Sequence, residues 1–288
     1  MPFASLSHIS LVESFGGLDD WLSSKEVPPR GTDRIHQLLE IVRAHNPRVL
    51  GPVVQMTREE QRRYMFALAE LLEFHQIAVW LRDESPAILG PKLDRALSGR
   101  VDPAEETLKN NDGRNAMFEL SLAAEWRREG LNVEIGEPDI KLTVGSQLFL
   151  VECKRPFTWS GFVSCLRHAN RQLRENGASP VPGAPKGVIA VSLNRVISAG
   201  QQILLAESLD DKSKVGEIID RELEANRRRW YDTVQFNESI AAVACHLNMP
   251  AHVNDGPQFV LMSSLNLCKV SINDEALALF AQAMSYGQ

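Results

Sequence analysis

Cysteine is scarce in this chain: Cys153, Cys165, Cys245 and Cys268 are the only four in 288 residues. They are widely scattered with no CxxC pair, which argues against a disulfide framework or a cysteine-paired zinc site and leads us to expect reduced cytoplasmic thiols. Long apolar runs are missing as well; none approaches the roughly 20 residues that a membrane span needs. The opening stretch MPFASLSHISLVESFGG has no basic region followed by an apolar run, so no secretory signal is expected there. The histidines form no HExxH spacing, and no Walker loop, GxSxG or GxGxxG occurs, which removes the commonest zinc, nucleotide and serine-nucleophile signatures. Positive charge is not in excess either. With a formal net charge of -6, any affinity for nucleic acid must come from a local basic patch. What is present is 44% apolar and 24% charged residues, the profile of a soluble globular protein with ample length for a core.

The first hundred residues carry helical periodicity. TDRIHQLLEIVRAH offers Thr32 or Asp33 as N-cap, with Ile35, Leu38, Leu39 and Val42 on one stripe. The segment from Thr57 has Glu60 three residues on, the pattern of a capping box, and continues as a long apolar-striped helix. Residues 82–113 are then rich in turn formers and charges, which places an expected boundary near residue 105. The reading is of a helical region, 1–105, of unassigned role, which could bind a second copy or another protein, followed by an α/β domain, 106–288.

In that second part the period changes repeatedly. RNAMFELSLAAEWRREG reads as a helix closed by Gly130, followed by the strand-like runs LNVEIG, PDIKLTV and QLFLVECK. GFVSCLRHANRQLRENG is a second helix, GVIAVSL a buried strand, and KVGEIIDRELEANRRRWYDTV a third helix. IAAVACHL and QFVLMSSL are further strands, and DEALALFAQAM closes the chain. The succession predicts a mixed β-sheet flanked by helices.

A Gly145-Ser146 turn joins PDIKLTV to QLFLVECK, pairing Val144 with Gln147 and therefore Asp139 with Glu152. Facing positions of a hairpin have Cβ atoms about 5 Å apart, so two carboxylates meet. Lys154 projects on the Glu152 side one step farther along. Opposed like charges destabilise a sheet unless a cation lies between them. A surface Lys–Glu ion pair is one way to satisfy these groups. Apolar Leu142, Val144, Phe149, Leu150 and Val151 on both faces favour the other, a bound Mg²⁺. Converging acids should then strain the metal-free protein, so that Asp139→Ala leaves stability near or above wild type.

Pro138-Asp139, a hairpin, then Glu152-Cys153-Lys154 resembles the signature of the PD-(D/E)xK, restriction-endonuclease-like, nuclease superfamily over roughly residues 112–195. The resemblance implies a restriction-endonuclease-like core and Mg²⁺-dependent phosphodiester hydrolysis, with Mn²⁺ able to substitute. Asp139 and Glu152 would hold metal, together with a backbone carbonyl beside Glu152 such as that of Cys153, whose own side chain faces the other way. Lys154 would act on the attacking water and the scissile phosphate. Glu119, in the preceding helix on a stripe with Leu122, Ala123 and Trp126, fits the additional acid of many members. Gln172 matches the glutamine that some branches place on the following helix, although their tyrosine four residues later is Asn176 here. The expected substrate is nucleic acid, DNA before RNA, in defence, restriction or repair; a binding module that has lost turnover is the alternative. From Lys154 to Arg174 the chain carries Arg155, Arg167, His168, Arg171 and Arg174 with no acid between them, a candidate phosphate-binding stripe. NRRRW at 226–230 is a lesser basic cluster, with Trp230 as a candidate for base stacking.

Overall fold

The computed structural model describes residues 8–45, 56–198, 202–208, 213–234, 238–253, 258–269 and 274–285. Helices come first: α1 (His8–Ser14), α2 (Leu18–Ser24), α3 (Arg34–Ala44), α4 (Arg58–Trp80) and α5 (Pro86–Leu97). Asp33 is the N-cap of α3, and Thr57 caps α4 in the expected capping box with Glu60. Next is α6 (Asp112–Arg128), then β1 (Asn132–Ile135), β2 (Ile140–Val144) and β3 (Gln147–Lys154). The chain continues through α7 (Trp159–Glu175), β4 (Lys186–Ser192), α8 (Asn194–Ser198) and β5 (Leu204–Ala206). It closes with α9 (Ser213–Ala225), α10 (Arg227–Val234), β6 (Ile240–Val253), β7 (Gln258–Lys269) and α11 (Asp274–Ser285).

The strands form one mixed sheet. β1, β2 and β3 are an antiparallel meander; β4 joins β3 in parallel, and β6 joins β4 in parallel. β7 runs antiparallel along β6, whose far end also takes the short β5. The hairpin register matches the expectation, with Val144 opposite Gln147 and Ile140 opposite Val151. β3 and β4 are buried nearly throughout. Such continuous apolar strands follow from parallel pairing, because the crossover helix covers a face that an antiparallel sheet could leave wet.

Alternation along β3 sends side chains into two separate apolar layers. Phe149, Val151 and Cys153 pack with buried residues of α1–α6 and α11, such as Leu71, Phe74, Leu93, Leu120 and Phe280. Leu150 packs with Phe162, Leu166 and Leu173 of α7, and with Ile219 and Trp230 beyond them. Helices therefore cover both faces. Among the described residues, the helical region 1–105 has no separate core: its apolar stripes and the sheet share one layer. The change of composition near residue 105 is a feature of the chain, not a break in packing.

Two local readings differ from the structure. Pro86–Leu97, within the turn-rich stretch, is a helix despite Pro91 in its interior. Its buried Leu89, Leu93, Ala96 and Leu97 supply tertiary packing that outweighs local propensity. The helix over 214–234 breaks after Ala225 into α9 and α10.

Candidate functional site

The site lies at the open end of the β2–β3 hairpin. Asp139 stands immediately before β2, and its Oδ2 accepts the Cys153 backbone N–H at 2.8 Å. Asp139 is thus tied to β3 one residue past Glu152, as the register requires. Glu152 is 2% exposed, and its Oε2 accepts from Lys154 Nζ at 2.7 Å. By alternation both side chains share the α7 face with Leu150. Burial raises the Glu152 carboxyl above the ordinary range, and the Asp139 and Glu137 charges add to this while Lys154 opposes it. Burial pulls the Lys154 ammonium down, yet the Glu152 hydrogen bond and the Glu152 and Asp139 charges together hold it above its usual value.

Glu119 approaches from the other layer. Its neighbours Leu122, Ala123 and Trp126 are buried against the sheet, as its stripe implied. Its Oε2 accepts from Lys92 Nζ at 2.7 Å, and Lys92 is also 3.8 Å from Asp139 Oδ1. Arg95 adds a looser contact at 3.8 Å. Burial and the Asp139 charge raise the Glu119 carboxyl, against the pull of Lys92. Sequence reasoning missed Lys92. The cation between two of the acids is a lysine from α5, in the stretch read as turns.

Among the described residues no three His, Cys, Asp or Glu side chains stand close enough together to hold one metal ion. The three acids therefore do not share a single cradle: Asp139 lies between Glu119 in one layer and Glu152 in the other. Mg²⁺ commonly takes one or two carboxylates and keeps its waters, so Asp139 with Glu152 suits such an ion in donor chemistry, whereas a three-acid cradle does not fit. The Cys153 thiol is buried in the apolar layer and burial raises its pKa well above the ordinary value, so only its backbone is available as a ligand.

The basic residues divide. Arg167, His168, Arg171 and Arg174 are exposed on α7. Burial lowers the pKa of His168, and the Lys154 and Arg171 charges lower it further, which places Lys154 within electrostatic reach of this face. Arg171 makes an exposed contact with Glu175 at 3.9 Å. Gln172 is half-buried, and its Oε1 is a buried acceptor with no partner among the described residues. Arg155 does not join this stripe. It points to the opposite face, where both guanidinium nitrogens bond Glu106, whose side chain is 0% exposed. This overturns its assignment to the phosphate surface; one residue after Lys154, alternation necessarily turned it inward. Trp230 is corrected likewise: it is 6% exposed, its Nε1 donates to Leu223 O, and it packs edge-on to Phe162.

Behind Arg155 lies a cavity of about 80 Å³ lined by Glu73, Arg114, Arg155, His246 and Asn248 among others. Burial pushes the Glu73 carboxyl up to about 6 in spite of a hydrogen bond from Asn248 at 2.7 Å. No helix among the described residues is long and apolar enough to cross a membrane. Comparison with protein-family models, with curated proteins and with solved structures found no match.

Proposed function

We propose that this chain is a metal-dependent nuclease with a restriction-endonuclease-like core, acting on phosphodiester bonds and on DNA before RNA. The observation that carries the reading is a buried Glu152 carboxylate paired with the half-buried Lys154 on β3, with Asp139 tied to the backbone beside it. The setting supports it: a helix, three antiparallel strands, a crossover helix and a parallel strand follow in order from Asp112 to Ser192. Bound at Asp139 and Glu152, Mg²⁺ or Mn²⁺ would acidify a water and neutralise charge on the phosphate. Glu152 keeps Lys154 charged and fixes its ammonium at the site. The ammonium is thereby placed to donate to the attacking water or to the phosphate oxygens as charge builds on them. Exposed Arg167, Arg171 and Arg174 would hold the flanking phosphates, and their attraction should weaken with salt.

The test is cleavage of single- and double-stranded DNA and RNA with Mg²⁺, Mn²⁺ or EDTA, beside Asp139→Asn and Lys154→Met. Metal-dependent cleavage lost in both variants is expected. Absence of cleavage by wild type on every substrate would remove the reading. A second reading, a nucleic-acid-binding module without turnover, draws on one observation: Lys92 already neutralises Glu119 and stands beside Asp139. Binding of DNA by wild type without cleavage in any metal would favour it.

A further inference from the structure

We propose that Lys92 is a tethered cation occupying the position between Glu119 and Asp139 that a divalent ion would otherwise take, so that this end of the hairpin accepts one metal ion instead of two. The count of one rests on the nuclease reading; the role of Lys92 does not.

The geometry is that of an ion between two ligands. Lys92 Nζ is 2.7 Å from Glu119 Oε2 and 3.8 Å from Asp139 Oδ1, and its side chain is 12% exposed, as is that of Glu119. Two facing carboxylates repel each other unless a cation separates them, and here the protein supplies that cation itself. The lysine is not a loose surface arm. It projects from α5 between buried Leu89 and Leu93, and α5 is locked against α6, which carries Glu119. At Gly113, near the start of α6, an added Cβ would lie 2.2 Å from Ser98 O and 3.1 Å from Arg95 O. Only glycine permits that approach of helix to helix, and the approach fixes the Lys92 backbone relative to the Glu119 backbone.

The energetic consequence follows from tethering. A group held beside its partners competes at an effective concentration on the order of millimolar or more, comparable with the free Mg²⁺ it would exclude. Lys92, with the exposed Arg95 3.8 Å from Glu119, offsets the Glu119 charge and leaves Asp139 only the longer 3.8 Å contact to Lys92. Asp139 can therefore still serve as a ligand on its Glu152 side, but no ion can sit on the Glu119 side while the ammonium is there. Removing the ammonium uncovers a pair of oxygen ligands of the kind that suits Mg²⁺ and Mn²⁺.

Mn²⁺ binding to the full chain, followed by the electron paramagnetic resonance of the free ion, tests this without reference to activity. Wild type is expected to bind one Mn²⁺ per chain and Lys92→Met two, while Lys92→Arg stays at one. Lys92→Gln serves if the methionine variant does not fold, because it removes the charge and keeps a donor. Adding Glu119→Gln to either neutral variant should abolish the extra ion. Two ions on wild type, or the same number on wild type and both neutral variants, would overturn the proposal. No ion on wild type but one on Lys92→Met would retain it and count against the nuclease reading instead.

Discussion

Replacing Asp139 separates the chemistry of the site from its architecture. The sequence led us to expect relief of repulsion on removing this acid, with stability near or above wild type. The structure reverses that expectation for alanine. Oδ2 of Asp139 is the acceptor for the Cys153 backbone N–H at 2.8 Å, and Cys153 is 8% exposed. Truncation leaves a buried amide without a partner, at a cost of about 1–3 kcal/mol. The 3.8 Å contact with Lys92 is lost as well, but Glu119 at 2.7 Å remains and retains the ammonium. For a chain of this size the predicted fall in Tm is on the order of 2–5 °C. Asparagine keeps an acceptor oxygen in the same place and should cost less than about 1 kcal/mol. Both variants should lose metal-dependent cleavage. The assay is urea and thermal unfolding followed by tryptophan fluorescence, with the two variants beside wild type. An alanine variant as stable as wild type or more so would show that repulsion among the acids outweighs the hydrogen bond, and the argument would fail.

Other expectations follow from the same contacts. Glu152 has a folded-state pKa raised above its ordinary 4.5, chiefly by burial, so its contribution to stability is full below that value and is lost as pH rises through the folded pKa. The stability difference between wild type and Glu152→Gln, measured by denaturant titration from pH 4 to 7, should therefore move against wild type as pH increases; a flat difference would contradict this. Glu106→Ala strands the buried Arg155 guanidinium and should cost about 3–5 kcal/mol, read as a lowered urea midpoint with unchanged slope. Charge reversal of the exposed Arg167, Arg171 and Arg174 should leave Tm within a few degrees of wild type. It should also weaken DNA binding and flatten its salt dependence, and an unchanged salt slope would exclude this face as the contact. A chain of residues 106–288 alone should not unfold cooperatively, because it loses Leu71, Phe74, Ile77 and Leu93 from the shared layer, each worth about 1.5–3 kcal/mol when buried. A soluble fragment with a sharp thermal transition would refute that.

The fold was most legible where one local signal decides it. The Gly145-Ser146 turn fixed the hairpin register, and Thr57 with Glu60 announced the start of α4. It was least legible where distant packing decides. Proline and glycine at residues 86, 90 and 91 made α5 read as turns, and only the partners of Leu89 and Leu93 across the chain make it a helix. The same dependence hid the unity of the core. An amphipathic stripe on α4 shows that something covers it, but not that the cover is the sheet formed by residues more than fifty positions later.

The site divides along the same line. Asp139, Glu152 and Lys154 were legible because strand alternation and a two-residue turn determine their neighbours. Alternation also holds the reason for the misplacement of Arg155: adjacent residues on an extended chain face opposite ways, so Arg155 could not share a surface with Lys154. Glu119 was legible as an acid on an apolar stripe, but not the layer from which it reaches Asp139. The cation beside it was wholly hidden, since Lys92 is twenty-seven positions before Glu119 in a segment with no periodic cue. Opposed acids need a positive charge, and the hairpin pattern alone pointed to a metal as its source. Electrostatics alone does not distinguish a free ion from a tethered one, because both relieve the same repulsion. Geometry distinguishes them: an ammonium at hydrogen-bond distance from one acid and within ion-pair distance of the other supplies the charge from the polypeptide itself.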